Sequence, residues 1–449
     1  MDVNKRYLTL QNKIGYGSGE ISGNLFNGLV NNFFMLYLTD SVGLNPGIVG
    51  TLMVISKLLD GVSDVFFGTL IDKTHTKMGK ARPWMLYSQL GLSICLALLF
   101  SIPAGLQEWA KYAWFFVFYV AANAIFYTAN NVSYSTLMVL ITKNGDERVQ
   151  LGVFRFAFVM VTGLIVSNIG LRLSRALGWS VVAILFALLA IVFNTISVFS
   201  IKELPDEVLL EGAEAQENKK KTDELSLWTS LGLLLRNKFY IIMLVMNILV
   251  YIVAGAMGSA VYYFKDVMGN EDLYGIFMIA MMLPMLAGLA LTPVLVKKFG
   301  LYKTNLFGFI IAAGFRGVML FAGVLRSFPL MLISVALSNI GAAPLTADGQ
   351  ALVGAISDYT YRKEGIRIDG SMYSCTSMGI KVGNALGTGM LGWMLNLGHY
   401  DGKLAVQPDS ALSMISFLFL ALPFILYVLI AVCNYFLKIE QANQVLEAE

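Results

Sequence analysis

Long apolar runs alternate with short polar segments along the whole chain, and each run is long enough to cross a bilayer. About 20 helical residues span the ~30 Å hydrocarbon core. The first six runs cover residues 14–38, 47–71, 83–104, 112–140, 152–174 and 179–201. The other six cover 238–264, 272–296, 304–325, 328–356, 371–396 and 410–437. This pattern predicts an all-α membrane protein with twelve transmembrane helices in two six-helix bundles.

A polar segment separates the two sets of six runs. Residues 202–226 are rich in charge and poor in aromatic residues, which predicts a mobile loop. We therefore expect an N-terminal six-helix bundle over 1–201, a cytoplasmic central loop over 202–237, and a C-terminal bundle with a cytoplasmic tail over 238–449. Basic, glycine-containing segments follow the second and the eighth run, which favours two repeats with a substrate site between them at mid-membrane.

Composition and charge agree with this class of protein. The chain is 57% hydrophobic and 14% charged, with a mean hydropathy of +0.68, which excludes a soluble globular protein of this size. If both termini are cytoplasmic, 22 of the 32 basic residues fall at cytoplasmic ends and loops, as the positive-inside rule requires. We expect a multi-pass protein of a bacterial cytoplasmic membrane, inserted without a cleaved signal peptide.

The sequence contains no pattern typical of an enzyme. Cys95, Cys375 and Cys433 lie in apolar stretches without paired spacing, which argues against a disulfide framework or a zinc site. His75 and His399 both fall in loops, and neither a Ser-His-Asp set nor a Walker loop is present. We expect a monomer without cofactor, whose partners are a small molecule and the lipid bilayer rather than nucleic acid.

Two aspartates, Asp60 and Asp64, lie one helical turn apart in the second apolar run. A carboxylate near the bilayer centre costs about 2.5–3.5 kcal/mol on insertion scales, so two of them need partners or a function. Their spacing puts both on one helix face, with Ser63 beside them and Lys57 as a charge partner. Paired oxygen ligands suit a hard cation or a shuttled proton. We expect a site for H+ or Na+, completed by Thr128; a purely structural ion pair is the alternative.

Other polar side chains fall at membrane depth and are candidates for substrate contact. Amide and hydroxyl groups donate to and accept from sugar hydroxyls without net charge. The candidates are Glu20, Asn24, Asn131, Tyr134, Ser135, Arg155 and Lys381. Interhelical hydrogen bonding is the alternative for the uncharged groups, and pairing with the aspartates is the alternative for Arg155 and Lys381. Arg316 and Asp348 also fall within runs, and the sequence indicates no role for them.

Ordered motifs link nearly the whole chain to one transporter family. They are Tyr16-Gly17-x-Gly19, Asp60-x-x-x-Asp64 with Gly68 and Asp72, Gly79-Lys80-x-Arg82-Pro83-Trp84, Tyr127-Thr128 with Tyr134, Arg148 with Arg155, and Asp358-Tyr359, Gly365-x-Arg367-x-Asp369-Gly370 and Tyr373-Ser374 leading to Lys381. In these motifs the chain resembles the glycoside–pentoside–hexuronide:cation symporters, the melibiose permease group of the major facilitator superfamily.

The resemblance implies roles at the matching positions. The two aspartates and Thr128 match the cation ligands, while Arg155 and Lys381 match cations of the central cavity. It also adds two aromatic residues to the candidates for substrate contact, Tyr127 and Tyr373. A gating loop is expected at Asp72, Lys80 and Arg82.

The chain departs from melibiose permease at four of these positions. Asn24 and Asn131 stand where that protein has aspartates that hold a galactoside, and Ser135 replaces a tryptophan that stacks on the sugar. Ser63 replaces an asparagine beside the cation. Melibiose is therefore not the expected substrate, and both a neutral pentoside and a uronide stay open.

Together these features predict a cation-coupled symporter that imports a sugar, glycoside, pentoside or hexuronide by alternating access. The thin oxygen shell around Ser63 favours the proton over sodium as coupling ion. A carrier of another solute, such as a lipid or a drug, is the alternative within transport. A membrane receptor or scaffold, using residues 202–226 or the C-terminal tail, is the alternative outside it.

Overall fold

The computed structural model describes residues 6–205, 227–365, 372 and 374–448. In these residues the regular structure is helical, apart from one isolated bridge between Thr76 and Gly79. The chain forms two compact units, unit 1 with residues 1–212 and 395–407, and unit 2 with residues 213–394 and 408–449. Most of the polar segment 202–226, predicted as a mobile loop, lies outside the described residues.

Unit 1 contains six helical crossings. Its helices are α1 Leu10–Leu36, α2 Pro46–Asp72, α3 Arg82–Leu99, α4 Glu108–Val120, α5 Thr128–Leu140, α6 Gly145–Leu177 and α7 Trp179–Ser200. A π-helical segment, Ala121–Tyr127, joins α4 to α5, so these two helices form the single crossing predicted over 112–140. A second π-helical segment, Tyr37–Ser41, extends α1.

Side-chain caps set where several of these helices begin. The Asn45 carboxamide oxygen accepts from two backbone N–H groups at the start of α2, and Pro46 fills the first helical position. Asn144 caps α6 in the same way. This cap explains why α6 begins at Gly145, ahead of the apolar run predicted over 152–174. Gly178, with a φ of +83°, separates α6 from α7.

Small residues let the helices of unit 1 pack closely around α1, which contacts mainly α6 and α7. A Cβ on Gly17 would lie 2.9 Å from the Phe158 ring, and one on Gly19 would lie 2.7 Å from the Ser197 hydroxyl. Glycine at these positions is therefore a packing requirement, as is common between membrane helices. The close approach brings the polar residues of α1 next to α5 and α6.

The described part of unit 2 is also helical. Its helices are α8 Leu227–Arg236, α9 Lys238–Gly255, α10 Ser259–Tyr262, α11 Leu273–Val324, α12 Phe328–Glu364, α13 Ser374–Leu397, α14 Asp409–Ser416, α15 Leu422–Phe436 and α16 Ile439–Ala448. The 3-10 segment Ala256–Gly258 joins α9 to α10, and the π-helical segment Tyr263–Val267 extends α10. A further π-helical segment, Phe417–Ala421, joins α14 to α15.

The long helix α11 is two helices joined at a break. Gly300, with φ 81° and ψ 166°, is non-helical inside its 52 residues. The break falls between the apolar runs predicted over 272–296 and 304–325, so α11 supplies two crossings and unit 2 supplies six. A stricter test of length and hydropathy selects seven helical segments of the described chain as able to cross a membrane. The long helix α11 counts as one of these seven.

Candidate functional site

The carboxylate of Asp60 on α2 lies against the first residue of α5. The Thr128 hydroxyl donates a hydrogen bond to Asp60 Oδ1 and lies 3.0 Å from the backbone oxygen of Asn123. The Ser63 hydroxyl lies 2.9 Å from the Asp60 backbone oxygen and 3.4 Å from the Thr128 hydroxyl. A carboxylate, two hydroxyls and a carbonyl oxygen thus gather at one point, and all are ligand types that suit a hard cation.

The π-helical segment before α5 determines where Thr128 lies. The N–H of Thr128 reaches back to the Asn123 oxygen across one wide turn, and its hydroxyl lies next to the same oxygen. Such π turns inside longer helices are frequent at functional sites because they redirect side chains. Here the wide turn directs a buried threonine towards the carboxylate of Asp60.

The structure describes only some of the other residues expected near the cation site. Lys57, half-buried one turn before Asp60, is attracted electrostatically to that carboxylate. The side chains of Asp64 and Asp72 lie outside the described part of the chain, and so does Tyr373. The described residues contain no cluster of three or more His, Cys, Asp or Glu side chains able to hold a metal ion. A cation here would depend on hydroxyl and carbonyl oxygens as well as carboxylate.

A second polar centre in unit 1 is an ion pair between α1 and α6. Arg155 Nε donates to Glu20 Oε1, and the two side chains are 27% and 13% exposed. The Asn24 amide donates to the other carboxylate oxygen of Glu20 at 3.1 Å, and the Arg155 guanidinium lies 4.8 Å from the centre of the Tyr134 ring. Arg155 is thus paired with an acid, and the partner found is Glu20 rather than an aspartate of α2.

A small pocket, with room for about one water molecule, lies beside this ion pair. It is lined by Gly19, Glu20, Gly23, Tyr127, Asn130, Asn131 and Tyr134. The Tyr127 hydroxyl accepts from the Asn27 amide at 2.8 Å. Asn131 and Ser135 are both exposed and lie one turn apart on α5, so their polar groups are available to a solute. Four of the candidates for substrate contact thus line one concave surface: Glu20, Tyr127, Asn131 and Tyr134.

Tyr134 contributes its ring to the pocket but uses its hydroxyl elsewhere. It stacks on Tyr16 with ring centres 4.5 Å apart. The Tyr134 hydroxyl donates to the Tyr16 backbone oxygen at 2.7 Å, and the Tyr16 hydroxyl donates to the Tyr134 backbone oxygen at 3.0 Å. These reciprocal hydrogen bonds join α1 to α5. The Tyr134 hydroxyl is therefore a structural group, and its ring is the part that can contact a ligand.

The expected gating loop is held by an acid at the end of α7. Both Glu203 carboxylate oxygens accept from the backbone, at 2.7 Å from Lys80 N and at 3.0 and 3.1 Å from Ala81 N and Arg82 N. The Arg82 side chain donates to the Val198 and Met78 backbone oxygens. Glu203 thus fills the N-terminal end of α3, where backbone N–H groups favour an anion.

Three charged residues that the sequence places within apolar runs belong to unit 2: Arg316, Asp348 and Lys381. Lys381 is half-buried on α13. The Asn305 amide lies 2.9 and 2.8 Å from the two carboxylate oxygens of Asp348, which joins α11 to α12. Arg316 is buried, with its guanidinium 5.1 Å from the centre of the Tyr427 ring and 3.5 Å from the Asn339 oxygen. These contacts give Asp348 and Arg316 a place in the packing of unit 2.

Several contributors to the site are absent from the sequence-based candidates. Asn27 lies one turn after the candidate Asn24, and this spacing was the available signal. Tyr16 belongs to the Tyr16-Gly17-x-Gly19 motif, but the motif does not indicate that Tyr16 stacks on Tyr134. Asn123 acts through its backbone oxygen, and Glu203 follows the last run of the first bundle. Neither of these last two positions has a side-chain pattern that reveals its role.

Comparison with known proteins places this geometry in context. A family model described as MFS/sugar transport protein matches residues 15–441. The isoprimeverose transporter of Lactiplantibacillus pentosus is 26% identical over 98% of this chain and 91% of that protein. The putative glycoside/cation symporter YagG of Escherichia coli (strain K12) is 27% identical over 94% and 90%. A solved structure from work on proton-dependent oligopeptide transporters aligns at a TM-score of 0.68, covering 97% and 99% at 14% identity, and shows a similar fold.

Proposed function

We propose, because the chain belongs to the MFS/sugar transport protein family, that it imports a sugar or glycoside together with a cation by alternating access. The observation that carries this proposal is the proximity of two polar centres in unit 1. One is the oxygen cluster around Asp60 and Thr128. The other is the pocket beside Glu20 and Arg155. Tyr127 connects the two centres, because it lines the pocket and directly precedes Thr128.

The cation is proposed to bind at Asp60, with the hydroxyls of Thr128 and Ser63 as further ligands. Their spacing of 3.4 Å supports one shared ligand point rather than two. We propose the proton as the coupling ion, because few oxygens converge here and a carboxylate alone can hold a proton. The name of the glycoside/cation symporter YagG supports cation coupling in general, without specifying the ion.

The substrate is proposed to be a sugar rather than a lipid or a hydrophobic drug. The pocket in unit 1 presents amide, phenol and carboxylate groups, which suit sugar hydroxyls. A lipid would require a predominantly apolar lining. The relative that is named as an isoprimeverose transporter, 26% identical, supports the same class.

The chain is a multi-pass membrane transporter. We propose that it lies in a bacterial cytoplasmic membrane with both termini inside, because 22 of its 32 basic residues then face the cytoplasm. Asp72, Lys80 and Arg82 are proposed to form a cytoplasmic gating loop, which Glu203 holds against α7.

Uptake into right-side-out membrane vesicles tests the proposed function. A panel of labelled glycosides, pentosides and uronides is presented with an imposed proton gradient, with and without sodium, and again after a protonophore. We expect concentrative uptake of at least one sugar that needs the proton gradient and not sodium. Uptake driven by sodium at fixed pH would show that the coupling ion is wrong. A panel without any accumulated sugar would contradict the proposed function itself.

A further inference from the structure

Charge in the pocket of unit 1 is already balanced. Of the lining residues that the structure describes, Glu20 alone is charged, and Arg155 is bonded to it. Lys57, another cation of this unit, is attracted to Asp60. Both Arg155 and Lys57 therefore have an acidic partner before any solute arrives.

The position of Arg155 is fixed from two sides. Its Nε donates to Glu20, and its guanidinium lies 4.8 Å from the centre of the Tyr134 ring. Glu20 in turn accepts from the Asn24 amide at 3.1 Å. The positive charge of Arg155 is thus offset by Glu20, so the pair attracts a second anion less strongly than an unpaired arginine would.

An anionic sugar in this pocket would meet two penalties that a neutral sugar avoids. Its carboxylate would lie beside the carboxylate of Glu20, and like charges at close range repel strongly where water is partly excluded. Alternatively, it would displace Glu20 from Arg155, which leaves the displaced carboxylate buried without its partner. Hydroxyl groups need neither change, because they can use Asn131 and the Tyr127 phenol directly.

We propose that Glu20 is a specificity-determining residue that restricts the pocket to uncharged sugars by occupying Arg155. This inference rests on the proposed function and narrows its substrate class, from glycosides, pentosides and uronides to the neutral members. The same arrangement explains how Asn24 contributes: its amide donates to Glu20 and keeps the carboxylate turned towards Arg155.

Matched ligand pairs test the proposal. The best-bound neutral glycoside of a 4-nitrophenyl panel is compared with its own uronide, which differs only by a carboxylate in place of the hydroxymethyl group. Affinities come from competition against uptake and from direct calorimetric titration of the purified transporter in nanodiscs. We expect the wild type to bind the neutral partner more tightly by about tenfold or more, which corresponds to ~1.4 kcal/mol or more.

The Glu20→Gln variant should weaken or abolish this preference. It removes the repelling carboxylate and releases Arg155, so the affinity ratio should shift towards the uronide by about tenfold or more. Glu20→Asp keeps the charge and should keep the preference for the neutral sugar. Glu108→Gln makes the same chemical change at an exposed position on α4 and should leave the ratio as in the wild type.

A double variant guards against a folding defect. Glu20→Gln with Arg155→Gln leaves no uncompensated charge, and it should lose the uronide affinity that the single variant gains. The proposal is overturned if the wild type binds the uronide as tightly as its neutral partner. It is also overturned if folded Glu20→Gln protein keeps the wild-type ratio, even though the neutral sugar is transported. If the wild type binds no sugar of the panel, the proposed function fails instead.

Discussion

The Thr128 hydroxyl connects two helices through one hydrogen bond to a carboxylate. It donates to Asp60, and the Thr128 side chain is only 2% exposed. The Asn123 backbone oxygen and the Ser63 hydroxyl lie 3.0 and 3.4 Å from the same hydroxyl. We propose that Thr128 keeps the Asp60 carboxylate oriented while a cation arrives or leaves.

Replacing Thr128 by alanine should alter cation coupling. The hydroxyl donates to the charged form of the Asp60 carboxylate and favours it over the protonated form. Such hydrogen bonds contribute ~1.5–3 kcal/mol, so with the proton as coupling ion the proton concentration for half-maximal uptake should fall by about 10- to 100-fold. Thr128→Ser should retain most of the wild-type value. Thr136→Ala, further along α5, removes a hydroxyl that bonds only to its own helix and is the matched control. Equal effects of the two alanine variants would contradict this role.

Tyr134 leads to a different prediction, because its hydroxyl joins α5 to α1. Tyr134→Phe keeps the ring beside Arg155 and removes that hydrogen bond. The free energy of unfolding should fall by ~1 kcal/mol, measured by thermal melting in nanodiscs. Tyr87→Phe, at a side chain 65% exposed, is the control and should not change the melting temperature. Unchanged stability with a loss of sugar affinity would instead mean that the hydroxyl contacts the substrate.

The sequence predicted the contact between Asp60 and Thr128 because burying a carboxylate in a membrane helix is costly without a polar partner. Two acids one turn apart in an apolar run require partners, and Thr128 lies at membrane depth on another run. The pairing of Arg155 with Glu20 could not be predicted in the same way. Neighbouring residues on a helix point about 100° apart, so a small rotation of α6 would direct Arg155 elsewhere, and only packing fixes that rotation.

At the scale of elements, both units contain a glycine with positive φ, followed by backbone N–H groups that donate to a glutamate. In unit 1, Gly79 has a φ of +109° and Glu203 accepts from the three N–H groups after it. In unit 2, Gly300 has a φ of +81° and Glu440 accepts from the next two N–H groups at 2.9 and 3.0 Å. In both units the acid follows the last crossing. In each unit, these hydrogen bonds join the segment after the last crossing to the start of an earlier helix.

Gly300→Ala should destabilise the protein more than Gly178→Ala. The two glycines have nearly the same backbone angles, φ 81° and ψ 166° against φ 83° and ψ 153°, so the conformational strain of ~1–3 kcal/mol is shared. An added Cβ at Gly300 would lie 2.8 Å from a Glu440 carboxylate oxygen, while Gly178 has open space. Displacing Glu440 should cost a further ~1–2 kcal/mol.

Thermal melting of both alanine variants measures that difference directly. A lower melting temperature for Gly300→Ala than for Gly178→Ala is expected. Equal temperatures would mean that the Glu440 contact adds nothing to stability. Glu440→Gln should lower the melting temperature by about the difference between the two glycine variants, because an amide offers one acceptor oxygen where the carboxylate offers two.

The sequence predicted the boundaries of helices where a change in hydropathy or a capping residue marks them. The break between the two halves of α11 lies within the polar gap that separates two apolar runs. The π-helical segments did not follow, because a single wide turn changes neither hydropathy nor composition. Ala121–Tyr127 reads as ordinary apolar helix, although it positions Thr128.

At the scale of the whole molecule, twelve crossings and the family were predictable because apolar length and ordered motifs are properties of the sequence. The motif resemblance to cation symporters agrees with the family match over residues 15–441. The assignment of residues 395–407 to unit 1 was not predictable, because it depends on contacts far apart in sequence. We propose that the oxygen cluster around Asp60 and the pocket beside Glu20 supply the ion site and the solute site that coupled transport requires.

Coupling makes a reciprocal prediction for the whole transporter. If the cation raises sugar affinity, the sugar must raise cation affinity by the same factor. With the proton as coupling ion, sugar binding should take up protons and make a weakly buffered suspension more alkaline. Sugar affinity should also fall as the pH rises, because the protonated form is the one that binds sugar tightly.

Asp60→Asn should abolish both effects together. The amide cannot exchange a proton, so sugar affinity should become independent of pH and the alkaline shift should disappear. Exchange of labelled for unlabelled sugar should persist, because it requires no net movement of the ion, while accumulation against a gradient should be lost. Calorimetry in buffers of different ionisation enthalpy measures the proton uptake. If Asp60→Asn kept the pH dependence, the proton site would have to lie on another group, and the coupling mechanism derived from the Asp60–Thr128 contact would be wrong.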